Sequence, residues 1–377
     1  MRVLHVMECT IGGTRRHLVE VALAQRALGL DVHVAASSLR QPDFELELVQ
    51  LERAGIGVRR VPMVRELRPL TDHRHAHELQ RILLELRPQI VHTHSSKAGA
   101  LGRWASLRTG IGQRVHTPHT FAFLFEAMFP AWKRALFRRV ETYLGARTAR
   151  IVAVSADEAA TIERARVVSP RIVRVVPNGI DPAPYRAARP LARRELGFDQ
   201  GRPLVLVAGL FNLAKGQDLA LAALCEPGLE QVQLALAGNG GERAALERQC
   251  ARLGLKERVR FLGFRRDVPA LLASADVLLL PSRWEGLPYI VLEAMAAGRA
   301  VVATPVDGAR ELIRASGAGR LASAIDAPAI AAALREVLEL DPRARAELGA
   351  RGQAAVLEHY TVRRMAEGLI AVYHECG

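Results

Sequence analysis

The sequence predicts an α/β protein built from two doubly wound domains, each a parallel sheet with helices on both faces. Three observations predict it. The length of 377 residues exceeds the ~250 to 300 at which a single core usually stops growing. Short apolar runs alternate with amphipathic stretches in both halves, and a proline-rich break separates them.

In order along the chain, RVLHVM (2–7) reads as a strand and Arg15 to Leu28 as a helix. VHVAAS, a helical Thr71 to Leu86, QIVHTHS and RIVAVS follow. Apolar runs of this length, spaced by helical periods, are parallel strands joined by crossover helices. Around Val176 to Pro190 the pattern breaks into VVPNGIDPAPYRAARP, with four prolines and an Asn-Gly turn. The first domain is therefore expected over 1–183 and the second over 184–360. Alternation restarts with PLVLVAG (203–209), VQLALAG (232–238), RVRFLG (258–263), ADVLLLP (275–281) and AVVATP (300–305). The amphipathic last segment, about 361–377, is expected to pack back on the first domain. Ligands of such sheets collect at the carboxyl ends of the strands, so the domains should face each other across a central cleft there.

Composition narrows the function classes. A 50% hydrophobic, 24% charged and 5% aromatic chain is neither disordered nor a membrane-span protein. No window approaches the ~18 apolar residues of a spanning helix. The N-terminus enters a strand directly, without the features of a secretory signal, so a cytoplasmic location is expected. Cys9, Cys225, Cys250 and Cys376 have no metal or redox spacing and are expected as free thiols. The net charge of +13 is carried almost wholly by arginine, because only four lysines occur. Such a field attracts polyanions. Without a basic tail or a binding motif, nucleic acid is not the expected partner; phosphorylated substrates or an anionic membrane surface fit better.

The most informative stretch is PSRWEGLPYIVLEAMAAG (281–298), directly after the buried-strand run VLLL. Pro288 suits the first turn of a helix and Gly298 its end. Glu285 then precedes a helix N-terminus and Glu293 lies inside that helix. Amides of Gly286 and Leu287 at the positive helix end suit a phosphate or a polar sugar. Taken alone, the two glutamates more often mean only that Glu285 favours the helix dipole and Glu293 pairs with an arginine.

From Ser282 the chain reads SRWEGLPYIVLEAMAAG, which resembles the S-x-x-E-G-x-P-x-x-x-L-E-A-M-A-x-G mark of glycosyltransferase family four. The likeness extends to GGTRRH (12–17), HTHSSKAGALGR (92–103), HTPHTFAF (116–123), VSADE (154–158), PNGID (177–181), LAGNGGERAALE (236–247), FLGFRRDVPALLASADVLLLPS (261–282) and VVATPVDGARELI (301–313). The resemblance implies the GT-B fold, two Rossmann-like domains facing a central cleft. It also implies a retaining transferase that moves a sugar from a nucleoside-diphosphate sugar, a UDP-sugar in the expectation, to an acceptor hydroxyl. The sugar is expected to be hexosyl or N-acetylhexosaminyl.

Motif by motif, the resemblance assigns catalytic positions to His119 and Glu285 and donor binding to Gly12, Gly13, Lys215, Gly286, Leu287 and Glu293. Glu293 would take the ribose, Lys215 the departing diphosphate and His119 the transferred sugar. The Gly12-Gly13 loop would approach the phosphates. No cofactor beyond the co-substrate and no metal are expected, because the helix terminus and Lys215 replace a divalent ion. One departure stands out: in GLFNLAKGQD, Leu210 occupies the place of the family's phosphate-binding arginine. Arg15, Arg265 and Arg283 are the candidate substitutes.

His73, His75 and His77 recur at every second position, but residues 71 to 86 read as a helix, where such residues do not share a face. FAFLFEAMFPAWKRALFRR (121–139) combines aromatic and basic residues. It suits either a peripheral contact with an anionic membrane or a lipid-linked glycan acceptor, or else an ordinary buried helix with a basic edge. The segments HTHSSKAG and HTPHTFAF look most like enzymes of bacterial polysaccharide or lipid-linked glycan assembly, placing the expected location at the inner membrane face. Two alternatives remain: a catalytically impaired nucleotide-sugar-binding protein, and a Rossmann oxidoreductase, although CTIGGTRRH lacks G-x-G-x-x-G.

Overall fold

Period-two alternation in the first strand decides how the N-terminal sheet is covered. Val3 and Met7 point into one apolar cluster with Leu18, Val21, Leu369 and Val372. Leu4 and Val6 point the other way, into a cluster with Leu79, Leu83, Ala98 and Ala105. Burying each such side chain contributes roughly 1.5 to 3 kcal/mol. A strand buried on both faces must lie inside a parallel sheet with helices above and below.

A computed structural model describes residues 1–126 and 128–376. Ala127, in the aromatic segment 121–139, and Gly377, at the end of the 361–377 segment, lie outside the described residues. The chain divides into two compact units, Met1–Asn178 with Val362–Gly377, and Gly179–Thr361. This division falls a few residues before the boundary expected at 183/184.

The first unit runs β1 (Arg2–Met7), α1 (Gly12–Ala27), β2 (Asp31–Ala36), α2 (Glu45–Arg53), β3 (Gly57–Arg60), α3 (Pro69–Leu86) and β4 (Ile90–His94). It continues through α4 (Ser96–Thr109), β5 (Gln113–Thr117), α5 (Ala131–Gly145), β6 (Arg150–Ala153), α6 (Ala156–Ala165) and β7 (Val173–Val175). Its sheet order is β3-β2-β1-β4-β5-β6-β7. The winding direction therefore reverses between β1 and β4, whose register sets His5 beside His92 and Met7 beside His94.

The second unit begins with α7 (Ala183–Arg186) and β8 (Leu204–Ala208), then α8 (Gln217–Ala223), β9 (Gln233–Ala237), α9 (Arg243–Arg252) and β10 (Val259–Gly263). After α10 (Val268–Ser274) come β11 (Val277–Leu280), α11 (Tyr289–Ala296), β12 (Ala300–Ala303), α12 (Ala309–Ser316) and β13 (Gly319–Leu321). The helices α13 (Ala327–Leu338) and α14 (Pro342–His359) complete it. The order β10-β9-β8-β11-β12-β13 reverses between β8 and β11. Such switch points open a crevice at the carboxyl ends of the strands. The last helix, α15 (Val362–His374), belongs to the first unit.

Several boundaries differ from the sequence expectation. Gly12 and Gly13 are the first residues of α1 rather than a loop. Gly12 has φ of +53°, and this left-handed turn carries the chain from Ile11 into the helix. Pro288 lies just before α11, in an extended conformation, rather than in its first turn. The unanticipated β3, β7 and β13 are short strands at or near sheet edges. The strand β5 was hidden because two of the three buried positions of QRVHT hold His116 and Thr117. Among the described residues no helix is long and apolar enough to cross a membrane.

Candidate functional site

In the second unit, the loops after β8 and β11 bring together residues far apart in sequence. Lys215 closes a short 3-10 turn in which Asn212 Oδ1 accepts a hydrogen bond from the Lys215 amide at 3.1 Å. Its Nζ donates to Glu285 Oε1 at 2.7 Å, and the Ser282 hydroxyl donates to the same oxygen at 2.6 Å. The Glu285 carboxylate is thus held on the approach to α11. Ser282 is itself fixed, because the buried Thr304 hydroxyl donates to its carbonyl at 2.5 Å. Glu293, at the middle of α11, is buried, and Tyr185 of α7 donates to its Oε1 at 2.9 Å.

The Gly286-Leu287 backbone is packed closely from behind. Gly308 has φ of +70°, and a Cβ there would lie 2.1 Å from the Gly286 carbonyl oxygen. The Leu287 side chain is buried in the body of the unit. The two residues precede Pro288, which stands at the N-cap of α11.

Leu210 is 43% exposed at the end of β8 and carries no charge toward this loop cluster. Each candidate substitute is already engaged. Arg15 is bound by Glu47 and Asp43 in the first unit, and Arg265 by both oxygens of Asp267. Arg283 grips both oxygens of Asp218 at 2.8 and 2.6 Å, while its amide donates to the Ala214 carbonyl. It is therefore tied directly to the Lys215 turn.

In the first unit, the reversal between β1 and β4 carries a buried polar assembly. His5 and His92 are ladder partners, and His94 follows on the same face of β4. Gln25 Oε1 accepts from His5 Nε2 at 2.9 Å, so His5 Nδ1 accepts from His94 Nε2 at 3.0 Å. Tyr373 of α15 donates to His92 Nδ1 at 2.7 Å, and His92 Nε2 donates to Thr117 at 2.8 Å. His17 of α1 donates from Nδ1 to Asn178 Oδ1 at 2.9 Å. Its ring meets that of His119, with centroids 4.7 Å apart. His116 faces the opposite side of β5, toward Thr93.

Burial strips solvent from these imidazoles and holds them neutral. It lowers His5 and His17 to about 4, partly opposed by their bonds to Gln25 and Asn178. His92, His94, His116 and His119 are pushed well below the usual histidine value by the same cause. His119 and Thr120 have φ of +49° and +73°, conformations costly for residues with a side chain. Glu158 sustains this turn, since its carboxylate accepts from the amides of Thr120 at 2.6 Å and Val154 at 2.7 Å.

The sequence named His119, and the quoted segments HTHSSKAG and HTPHTFAF hold His92, His94, His116 and His119. It missed His5, His17, Gln25 and Tyr373, which enter only through sheet order and the return of α15. Tyr185 was also missed, since it lies inside the proline-rich stretch read as linker. His73 and His77 pair on the exposed surface of α3, whereas His75 is buried, so the three do not share a face.

The aromatic segment divides in two. Phe121 and Phe123 are buried in an apolar cluster with Ile151 and Ile162. On α5, Trp132, Leu136, Arg139 and Tyr143 form one outward stripe, the three apolar members being 64%, 42% and 54% exposed.

Two family descriptions match the chain in succession. Glycosyltransferase Family 4 matches residues 11–184, and Glycosyl transferases group 1 matches residues 188–355. A D-inositol 3-phosphate glycosyltransferase of Geodermatophilus obscurus is 31% identical, over 96% of this chain and 84% of that enzyme. An Escherichia coli enzyme named UDP-Gal:alpha-D-GlcNAc-diphosphoundecaprenol alpha-1,3-galactosyltransferase is 27% identical, over 68% of this chain and 66% of its own length. The crystal structure of Anabaena HepE in complex with UDP and glucose superposes with a TM-score of 0.82 at 23% identity, covering 99% of both chains.

Proposed function

This chain belongs to glycosyltransferase family four and is a glycosyltransferase of the GT-B type, and we propose that it transfers a sugar, with retention, from a UDP-sugar to an acceptor hydroxyl of a lipid-linked or polysaccharide glycan. Family membership displaces the oxidoreductase alternative. The observation that carries the donor reading is the Lys215–Glu285–Ser282 cluster at the approach to α11, with Glu293 oriented by Tyr185. The diphosphate would lie at the Gly286-Leu287 main chain and draw Lys215 from Glu285. The charge-assisted bonds it gains there are each worth ~1.5 to 3 kcal/mol. Glu293 would accept from the ribose hydroxyls. Gly12 and Gly13, at the N-terminus of α1, are the proposed phosphate-side elements of the first unit.

In the proposed step the acceptor oxygen bonds to the anomeric carbon on the face from which the diphosphate departs. The leaving oxygen keeps the bonding electrons and receives the acceptor proton. Positive charge beside that oxygen then lowers the barrier, and Lys215 supplies it without a divalent ion. His119 is the proposed contact to the transferred sugar. A UDP donor is supported by the ligand in the Anabaena protein and by the name of the Escherichia coli relative, which also supports a lipid-diphosphate acceptor. The exposed stripe of α5, beside Lys133 and Arg134, supports a peripheral contact with an anionic membrane at the cytoplasmic face.

Leu210 and the engaged state of its three candidate replacements favour a second reading, a protein that binds the donor and turns it over slowly. Thermal melts with UDP, GDP, ADP and NAD test the donor site. A nucleotide at about 100 times its dissociation constant adds ~2.7 kcal/mol. UDP should raise the transition of the second unit by several degrees, and Glu293→Ala should abolish the rise. A rise with NAD alone, or with no nucleotide, removes the donor reading; a rise with UDP but no turnover of UDP-sugars selects the second.

A further inference from the structure

We infer that His17, His94 and His119 form a binding site for a divalent transition metal of the zinc type. Each offers one ring nitrogen, and these nitrogens lie within 4.8 Å of one another. Among the described residues, His17 Nε2, His94 Nδ1 and His119 Nε2 are also buried without a hydrogen-bond partner. Unsatisfied buried polar atoms are rare, and three imidazoles sharing the condition in one place point to a missing electrophile.

At His17 and His94 the neighbouring groups fix which nitrogen presents its lone pair. Asn178 Oδ1 takes the proton of His17 Nδ1, which leaves Nε2 bare. Along the second chain, Gln25 Oε1 takes the His5 Nε2 proton and His5 Nδ1 takes the His94 Nε2 proton, leaving His94 Nδ1 bare. Metal-bound histidines show this arrangement, the far nitrogen donating to an oxygen or other acceptor that sets the tautomer. The nearby trio His5, His92 and His94 also meets the distance criterion. It is a poorer site, because both nitrogens of His5 and both of His92 are already bonded.

Zinc–nitrogen distances of 2.0–2.1 Å in a tetrahedron place ligand nitrogens about 3.3 Å apart, so each here would move inward by at most about 0.8 Å. The φ of +49° at His119 sets its ring against that of His17 and gives this ligand its direction. Three protein nitrogens leave a fourth position for water or a ligand hydroxyl, the coordination count of open zinc sites. The site is built from residues of the first unit alone, and its zinc would not supply the charge assigned to Lys215.

The test is Zn2+ uptake by the full chain after chelator treatment, read by competition with a chromophoric chelator, with no nucleotide or sugar present. Its failure therefore leaves the proposed transferase standing. One Zn2+ per chain is expected, with a compact tetrahedral or five-coordinate spectrum when Co2+ is substituted. His94→Gln and His119→Asn should each abolish stoichiometric uptake, and Asn178→Ala should weaken it about 10- to 100-fold. If His94→Gln fails to fold, His119→Asn carries the test, since asparagine tolerates the left-handed conformation. His77→Ala, which breaks the exposed His73–His77 pair, should leave uptake unchanged. No uptake by the wild type, uptake retained in His119→Asn, or uptake lost in His77→Ala overturns the inference.

Discussion

Lys215 Nζ and Glu285 Oε1 are 2.7 Å apart although 70 residues separate them, and each comes from the loop after one of the two strands at the switch point of the second sheet. The pair therefore occupies the crevice that the topology opens. It also holds a lysine in reserve beside the main chain proposed for the diphosphate.

Removing either partner should affect turnover more than folding. Lys215→Ala is expected to lower kcat by about 10²- to 10³-fold, the usual loss for one group that stabilises developing charge. Stability in the melt should fall by no more than about 1 to 3 kcal/mol, because Glu285, whose side chain is only 11% exposed, keeps the bond from Ser282. Steady-state kinetics with a UDP-sugar and a thermal melt of the same variant check both halves of the statement.

Leu210→Arg should restore the missing cation. The position is exposed, so the change in stability should stay within about 0.5 kcal/mol. A rise of roughly tenfold or more in kcat/KM is expected. An unchanged value would show that Arg283, anchored beside the Lys215 turn, already supplies the charge.

Gly308→Ala tests the packing behind Gly286. An added Cβ meets the Gly286 carbonyl at 2.1 Å and must adopt φ of +70°. A destabilisation of about 1 to 3 kcal/mol is expected from the backbone alone. Displacement of residues 286–287 should also weaken UDP binding, measured by calorimetry below the melting transition.

The histidine assembly predicts acid sensitivity in the chelated protein. His5 and His17 are held near 4 in the folded chain against about 6.5 when unfolded. Between these values the unfolded chain binds more protons, so stability falls as pH drops from 6.5 to 4 and is unaffected above 6.5. The first unit should lose several kcal/mol across that window. Melts at stepped pH check it, and His5→Gln should flatten the slope.

The α5 stripe predicts membrane binding that is sensitive to salt. Trp132→Ala with Leu136→Ala should weaken co-sedimentation with phosphatidylglycerol vesicles about fivefold or more. Neutral phosphatidylcholine vesicles should bind neither form. Equal binding of variant and wild type would remove the membrane contact and leave an ordinary solvated helix.

The alternation of most strands and helices in two parallel-sheet domains was legible in the sequence, because apolar period and turn chemistry are local properties of the chain. Local signals failed where buried positions hold polar residues, as in β5, and where a glycine pair opens a helix instead of a loop. Only the tertiary structure decided which distant residues meet. His5 reaches His94 across 89 residues, Tyr185 reaches Glu293 across 108, and His17 reaches Asn178 across 161. Those meetings follow from which strands and helices neighbour one another. No periodicity encodes them, because they arise from the packing of whole elements.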